Sequence, residues 1–388
     1  MRRENKIQPH YFKGPEYLIV GLDIGSTTVK GVVADIQTNA IIWSDYRRHE
    51  TRVAEKVLEF LQRIENDLEL MHGDFRLFIT GSGASGLTEI LSGKFVQEVN
   101  ALSLAVEKFH PQVKSVIELG GQDAKIIVFK EDSVTGVKKK NASMNDKCAG
   151  GTGSVIDKIA AKLNIAVDEL CQLPFKDVKI HPVAGKCGVF AETDINSLQK
   201  QGVPNNELIA SLYNSIVQQN LTVLTRGHTL LPEVLLLGGP NTFLRGMVEA
   251  WQANLPSIWK ERGIEVPDNS EVESLIKVPK NSELYAAIGA AEYGKGEPSS
   301  VAVYQGWQKL YDYVHGDREE LKSKLSGSGL CKSDEEIECF RKEYQIPEYV
   351  QPEFAAGEIV NVFIGVDGGS TSTKAVLLDE DKNLIAQE

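Results

Sequence analysis

Apolar and polar residues follow two different periods along this chain, and the switches between them mark out its elements. Tyr17 to Asp35, YLIVGLDIGSTTVKGVVAD, reads as an apolar strand, a tight polar turn and a second strand. A third strand over Ala40 to Tyr46 completes a meander. Val53, Val57, Phe60, Leu61 and Ile64 then recur three and four residues apart, so Val53 to Leu70 is a helix. Phe75 to Thr80 is a strand ending in Gly81-Ser82-Gly83, and Ala84 to His110 reads as two helices around a short extended piece near Phe95.

At Val113 the pattern restarts. Ser115 to Gly121, SVIELGG, is a strand ending in two glycines, Gln122-Asp123 sits in the turn, and Ala124 to Phe129 leaves as a strand. A third strand is expected near Thr135 to Lys140, then a helix from about Ser154 to Leu163 opened by Asn145 to Gly153, NDKCAGGTG. Val183 to Asp194, VAGKCGVFAETD, leads into another helix, and Glu207 to Arg226 is a long amphipathic one. Glu233 to Gly239, EVLLLGG, is a buried strand. Asn241 and Thr242 are read as caps of a helix from Phe243 to Trp251, and a last helix spans Glu283 to Tyr293. The expected organisation is therefore an arm (1–16), a first half (17–110), a similar second half (111–295), a linker (296–360) and a new start (361–388). That start, VFIGVDGGSTSTKAVLLDE, repeats the opening: Asp367 answers to Asp23, Gly369 to Gly25, Ser370 to Ser26, Thr371 to Thr27 and Lys374 to Lys30. A lone hairpin cannot bury a core, so a longer gene product is expected.

The turns carry the candidate chemistry. In Asp23-Ile24-Gly25-Ser26-Thr27-Thr28, Gly25 lets the backbone approach a phosphate, and Ser26, Thr27 and Thr28 offer donors to its oxygens. Asp23 is placed to hold a hydrated divalent cation, which prefers hard oxygen ligands. Taken alone, this turn is equally an ordinary glycine-containing hairpin. The 388 residues suffice for two or three domains, and a net charge of −12 disfavours nonspecific nucleic-acid binding. No apolar run is long enough to span a membrane, and the basic start MRRENKIQPH lacks the apolar core of an export signal. Five cysteines without an export signal point to thiol, metal or redox chemistry in the cytoplasm.

DIGSTTVK, ELGGQDAK and LLLGGP, in that order, resemble the acetate kinase, sugar kinase, Hsp70 and actin superfold over about residues 17–295. The resemblance implies an α/β chain of two ribonuclease H-like halves (each βββαβα) closing over ATP and Mg²⁺. It implies that Asp23 and Asp123 hold Mg²⁺ and orient the attacking water, and that Ser26, Thr27, Lys30 and Gln122 contact phosphates beside Gly120 and Gly121. Gly238, Gly239, Pro240 and Asn241 are expected against the adenosine. NDKCAGGTG and KCGVFAETD narrow this to a resemblance to the BadF/BadG/BcrA/BcrD ATPase family, which includes activators of 2-hydroxyacyl-CoA dehydratases and subunits of benzoyl-CoA reductase. By that resemblance Cys148 and Cys187 bind a [4Fe–4S] cluster. Two thiolates per chain, doubled by a two-fold axis, supply the four such a cluster takes, so a homodimer is expected. A ferredoxin or flavodoxin is the implied electron donor, and the implied partner is a dehydratase or reductase with its own iron–sulfur cluster. Cys171, in DELCQLPF, reads as a small buried hydrophobe, and Cys331 and Cys339 as surface or partly buried thiols. The alternatives are a small-molecule kinase of the same superfold and a chaperone or reactivase ATPase.

Overall fold

The structure, a computed structural model, describes residues 12–84, 86–131, 138–145, 151–185, 187–264, 272–317, 331, 333–346, 349–350, 352–369 and 372–388. The chain divides into two units, Met1–Arg318 and Glu319–Glu388.

The first unit is built on two five-stranded sheets. The first contains β1 (Leu18–Ile24), β2 (Thr28–Asp35), β3 (Ile41–Arg48), β4 (Arg76–Thr80) and β5 (Lys94–Phe95), in the order β3-β2-β1-β4-β5. The second contains β6 (Ser115–Leu119), β7 (Ala124–Glu131), β8 (Lys138–Asn145), β9 (Val234–Leu237) and β10 (Ile276–Lys277), in the order β10-β9-β6-β7-β8. Read from the meander side, the two orders are the same. In each sheet the three meander strands are antiparallel, and the fourth strand runs parallel to the first. This is the duplicated ribonuclease H-like, actin-like arrangement that the sequence predicts.

Helices fill the connections. The first half carries α1 (Val53–Leu68), α2 (Leu87–Ile90) and α3 (Glu98–Phe109). The second carries α4 (Gly153–Lys162), α5 (Val167–Gln172), α6 (Gly188–Lys200), α7 (Asn205–Leu224), α8 (Gly239–Phe243), α9 (Arg245–Glu261), α10 (Val272–Leu275) and α11 (Tyr285–Lys295), with α12 (Gln308–Asp312) beyond. No helix among the described residues is long and apolar enough to cross a membrane.

The two-residue period of β1 explains the layering. Leu18, Val20, Leu22 and Ile24 face one core with Val57, Phe60, Leu61 and Ile64 of α1. Ile19 faces a second core between the sheets, shared with Val116 of β6 and with α3 and α11. The outer face of the second sheet packs on α4 to α9 in a third core. The helices α3 and α11 cross in the middle layer so closely that a Cβ added at Gly289 would overlap the carbonyl oxygen of Ala101.

Three expectations change. The third strand of the second meander is Lys138–Asn145, because Asn145 pairs with Ala124 at the far end of the ladder. The helix expected to stop at Trp251 runs to Glu261 through Pro256, since Trp251, Leu255 and Trp259 share one buried face. The start of the segment read as a linker packs into the first half. The Leu77 amide donates to Ala302 O at 2.8 Å, Tyr304 stacks on Phe75, and Leu310 is buried.

In the second unit, β11 (Phe363–Gly368), β12 (Thr373–Leu378) and β13 (Leu384–Gln387) form a meander, preceded by a helix at Asp334–Glu343. Asp367 pairs with Lys374, and the Gly369 amide donates to Ser372 O at 3.0 Å. Phe363, Ile364 and Val366 are exposed.

Gly289→Ala is expected to destabilise the first unit by about 3 kcal/mol, the upper range for overpacking at backbone contact. Urea unfolding checks it, and an unchanged midpoint would contradict the close crossing of α3 and α11.

Candidate active site

Two hairpins of identical register meet at the cleft. Asp23 lies opposite Lys30 across β1 and β2, and Glu118 lies opposite Lys125 across β6 and β7. Each turn is closed by one backbone bond of 2.9 Å, from Gly25 N to Thr28 O and from Gly120 N to Asp123 O. These bonds fix the correspondence between halves. Glu118, not Asp123, occupies the place of Asp23, and Asp123 occupies the place of Thr28. The strand period sets all four charged residues of the two ladders on the face between the sheets, because their neighbours Ile19, Val32, Val116 and Ile127 lie in the middle core.

The turns touch. A Cβ at Gly121 would run into the Thr27 side chain, so only glycine permits this approach. Behind the first turn, His49 donates its amide to Thr27 O, and its Nε2 lies 3.2 Å from Gly25 O. Ser26 Oγ is buried with no hydrogen-bond partner among the described residues. Gln122 is exposed at the rim. Gly25, Ser26, Thr27, Thr28, Gly120 and Gly121 line one recess together with Asp23 and Asp123.

Four carboxylates gather around two ammoniums there. Lys30 Nζ donates to Asp23 at 2.7 Å. Lys125 Nζ bonds Glu118 at 2.7 Å and Asp123, and lies 3.0 Å from Glu98 at the start of α3. Burial opposes the Lys30 charge, but Asp23 and Glu118 outweigh it and hold its pKa above the ordinary lysine value. Burial likewise opposes Lys125, and Glu118, Asp123 and Glu98 raise it well above that value. Burial would lift Asp123, yet Lys125 and Lys30 keep its carboxyl below the usual range. Glu98 goes the other way. Burial, reinforced by Asp23, Asp123 and Glu118 and opposed by Lys125, lifts it to about 7.

The recess opens into a cavity of about 280 Å³. Its far side is apolar: Gly239 and Pro240 after β9, with Ile156, Leu170, Cys171, Phe243 and Leu244. Cys171, read as a small buried hydrophobe, is half-buried: it packs on the core and also lines the cavity. Two contacts tie the halves across the mouth. Tyr46 meets Phe243 edge to face at 5.4 Å, and Arg48 grips Asp157 with bonds of 2.7 and 3.1 Å. Asn241 is not a helix cap. It is buried inside α8, bonding Ile117 O and Leu237 O and accepting from Trp251 at 3.1 Å, so its amide anchors the turn from behind. Thr242 Oγ1 donates to Gly238 O at 2.8 Å, also from within α8.

Cys148 lies outside the described residues. Cys187 is half-buried and stands at the N-cap position of α6. The flanks of both cysteine segments meet on α7. Asn220 donates to Gly151 O at 2.8 Å, and Ser215 donates to Ala184 O at 2.6 Å. The first flank is also tied to the phosphate-type turn, through Thr152 Oγ1 to Gly121 O at 2.9 Å and Gly153 N to Gly120 O at 3.0 Å. Among the described residues, no group of three or more His, Cys, Asp or Glu side chains is placed to hold a metal ion.

Residues 20–294 match the model of the BadF/BadG/BcrA/BcrD ATPase family. The chain belongs to this family. It is 27% identical over 237 residues to the (R)-2-hydroxyglutaryl-CoA dehydratase activating ATPase of Acidaminococcus fermentans, covering 59% of this chain and 86% of that one. The solved structure of component A of that dehydratase superposes with a TM-score of 0.59 at 25% identity, over 72% of this chain and 98% of that one. The activator of the 2-hydroxyisocaproyl-CoA dehydratase from Clostridium difficile, solved with bound ADPNP, gives 0.57 at 24% identity, over 80% and 98%.

Within this BadF-type site, sequence reasoning missed Glu118, Lys125, Glu98, Tyr46, Arg48 and Asp157. A signal existed for the first two: Glu118 and Lys125 stand seven residues apart, as Asp23 and Lys30 do. Glu98, Arg48 and Asp157 carry no local signal.

Lys125→Met is expected to cost about 3–5 kcal/mol, since it strands buried carboxylates. Arg48→Ala should cost no more than about 1 kcal/mol, because that bridge is solvent-exposed. Denaturant unfolding of both variants checks the contrast.

Proposed function

We propose that this protein is an ATP-dependent one-electron donor that activates a 2-hydroxyacyl-CoA dehydratase or a related CoA-thioester reductase. The observation that carries the ATP part is the pair of equivalent hairpins whose turns meet at Thr27 and Gly121, beside a buried Ser26 hydroxyl with no partner among the described residues. The names of the relatives support the activator part.

In this reading ATP lies along the cleft. Ser26, Thr27, Thr28 and the amides of Gly25, Gly120 and Gly121 hold the phosphates, with Gln122 at the rim and Lys30 below. Gly238, Gly239 and Pro240 face the adenosine, and Asn241 keeps that turn in place. Mg²⁺ usually binds one or two carboxylates together with phosphate oxygens and water. Asp23, near the end of β1, and Asp123, in the second turn, line one recess and fit that demand. Phosphoryl transfer needs positioning and charge neutralisation, which these groups supply without a covalent nucleophile.

The redox part rests on Cys187 and Cys148. A thiolate at a helix start is stabilised by the partial positive charge of the helix end, and Cys187 has that position on α6. Val189 and Phe190, the next apolar residues, are 69% and 65% exposed, as an interface beside the ligand would require. When bound between two copies of the chain, a [4Fe–4S] cluster would supply a one-electron couple, reduced by a ferredoxin or flavodoxin and oxidised by the dehydratase. The chain's own part is mechanical. A shift of Gly120 and Gly121 on ATP binding pulls directly on Thr152 and Gly153, four and five residues after Cys148.

Protein purified without oxygen is expected to be brown and dimeric, with about four irons per dimer. Cys187→Ala should lose the iron and the colour while still binding ATP, measured by titration calorimetry. A colourless wild-type protein with full ATPase activity would overturn the redox assignment.

A further inference from the structure

The two turns have equivalent carbonyls held by unrelated means. Gly25 and Gly120 occupy the same place, since each donates the bond that closes its turn. Gly120 O accepts from the Gly153 amide at 3.0 Å, where α4 begins. Gly25 O is met instead by a side chain, the ring of His49, with Nε2 at 3.2 Å. His49 follows β3 and is only 4% exposed.

The other ring nitrogen decides which way that bond runs. The Thr51 amide donates to Nδ1 at 3.1 Å. Nδ1 is therefore the acceptor, and the neutral ring carries its proton on Nε2 and donates it to Gly25 O. Glu50 and Thr51 are both left-handed, with φ of 49° and 68°, in the turn that brings this amide round. Two such residues in a row, one of them β-branched, are strained and persist only where the surroundings enforce them. The His49 amide adds a third bond, to Thr27 O at 3.2 Å.

What the ring fixes is a peptide plane. In a trans peptide the carbonyl and the following N–H point in opposite directions. With Gly25 O turned back to His49, the Ser26 N–H points to the other side of the turn. That is the side on which Ser26 and Thr27 line the recess, and where the Ser26 hydroxyl has no partner among the described residues. Were this peptide flipped, a carbonyl oxygen would face the recess and repel the oxygens of a phosphate.

We infer that His49 is a positioning residue for the nucleotide: its ring locks the Gly25–Ser26 peptide with the N–H toward the phosphates and so sets the affinity for ATP. This rests on the ATP reading above and adds to it a residue that stands behind the recess. The second turn has no need of such a side chain, because the start of α4 already holds Gly120 O.

The test uses the full chain with H49F and H49Q. Phenylalanine fills the space of the ring and makes neither ring bond. Glutamine can carry its amide nitrogen to the place of Nε2 and donate to Gly25 O. Affinities for ATP and for adenosine are measured by titration calorimetry, turnover at saturating ATP by phosphate release, and folding by thermal melting. H49F is expected to bind ATP about tenfold more weakly and adenosine within about twofold of wild type. Its turnover at saturation should fall by no more than about threefold, since the lost interaction serves the bound ATP and the transition state alike. H49Q should regain most of the ATP affinity. An H49F protein that binds ATP as wild type does overturns the proposal. So does an H49Q protein as weak as H49F, because the ring's donor is then not the cause. Loss of ATP and adenosine binding together, with an early melt, also overturns it, since that marks a purely structural role. In each of these cases the ATP reading stands so long as the wild-type protein binds and hydrolyses ATP. A wild-type protein that binds no ATP overturns that reading and this proposal together.

Discussion

Six charged side chains, four of them buried, sit between two sheets, and the placement of almost everything around them follows from keeping them beside opposite charge. Lys30 answers Asp23 within one ladder, and Lys125 answers Glu118 in the other while also gathering Asp123 and Glu98. Ionised groups in such a setting are tolerated only with partners at hydrogen-bonding distance. The strands must therefore keep a register that places acid opposite lysine, and the sheets must face each other through the layer holding those side chains. A register slip of one residue would turn each pair outward into an apolar core.

The same constraint makes the recess suited to a phosphate chain. Two lysines offset much of the local negative charge, the turns present glycines and hydroxyls, and the wall leaves the Ser26 hydroxyl without a partner among the described residues. Polar groups in this state are expected at a functional site and are rare in a structural core. The contacts that span the cleft differ in kind. The buried carboxylates on Lys125 are an internal framework, whereas Arg48 with Asp157 and Tyr46 with Phe243 lie at the mouth, where a nucleotide must pass.

The second hairpin is wired outward as well as inward. Its glycine carbonyls accept from Thr152 and Gly153, and the helix that steadies Gly151 also steadies Ala184, three residues before Cys187. A change in the Gly120-Gly121 turn thus reaches the flanks of both cysteine segments through hydrogen bonds and one packed helix. The middle-layer helices α3 and α11, in backbone contact at Gly289, are the rigid crossing about which the halves are held.

Local pattern alone determined most of the strands and helices and the repetition of the glycine turn. Strand alternation, three-and-four spacing and glycine turns act within a few residues of chain. The spacing of seven from Asp23 to Lys30 recurs at Glu118 and Lys125 and again at Asp367 and Lys374, and in all three hairpins it reflects one ladder register. Only the tertiary structure decided that Glu118 is the true counterpart of Asp23. The turn bond that sets this counts residues around the turn and ignores side-chain identity. It alone decided that Asn241 serves the core, that Pro256 lies within a continuing helix, and that Glu98, Arg48 and Asp157 reach the cleft. Each of these depends on groups far apart in the chain, brought together by packing that no local spacing encodes.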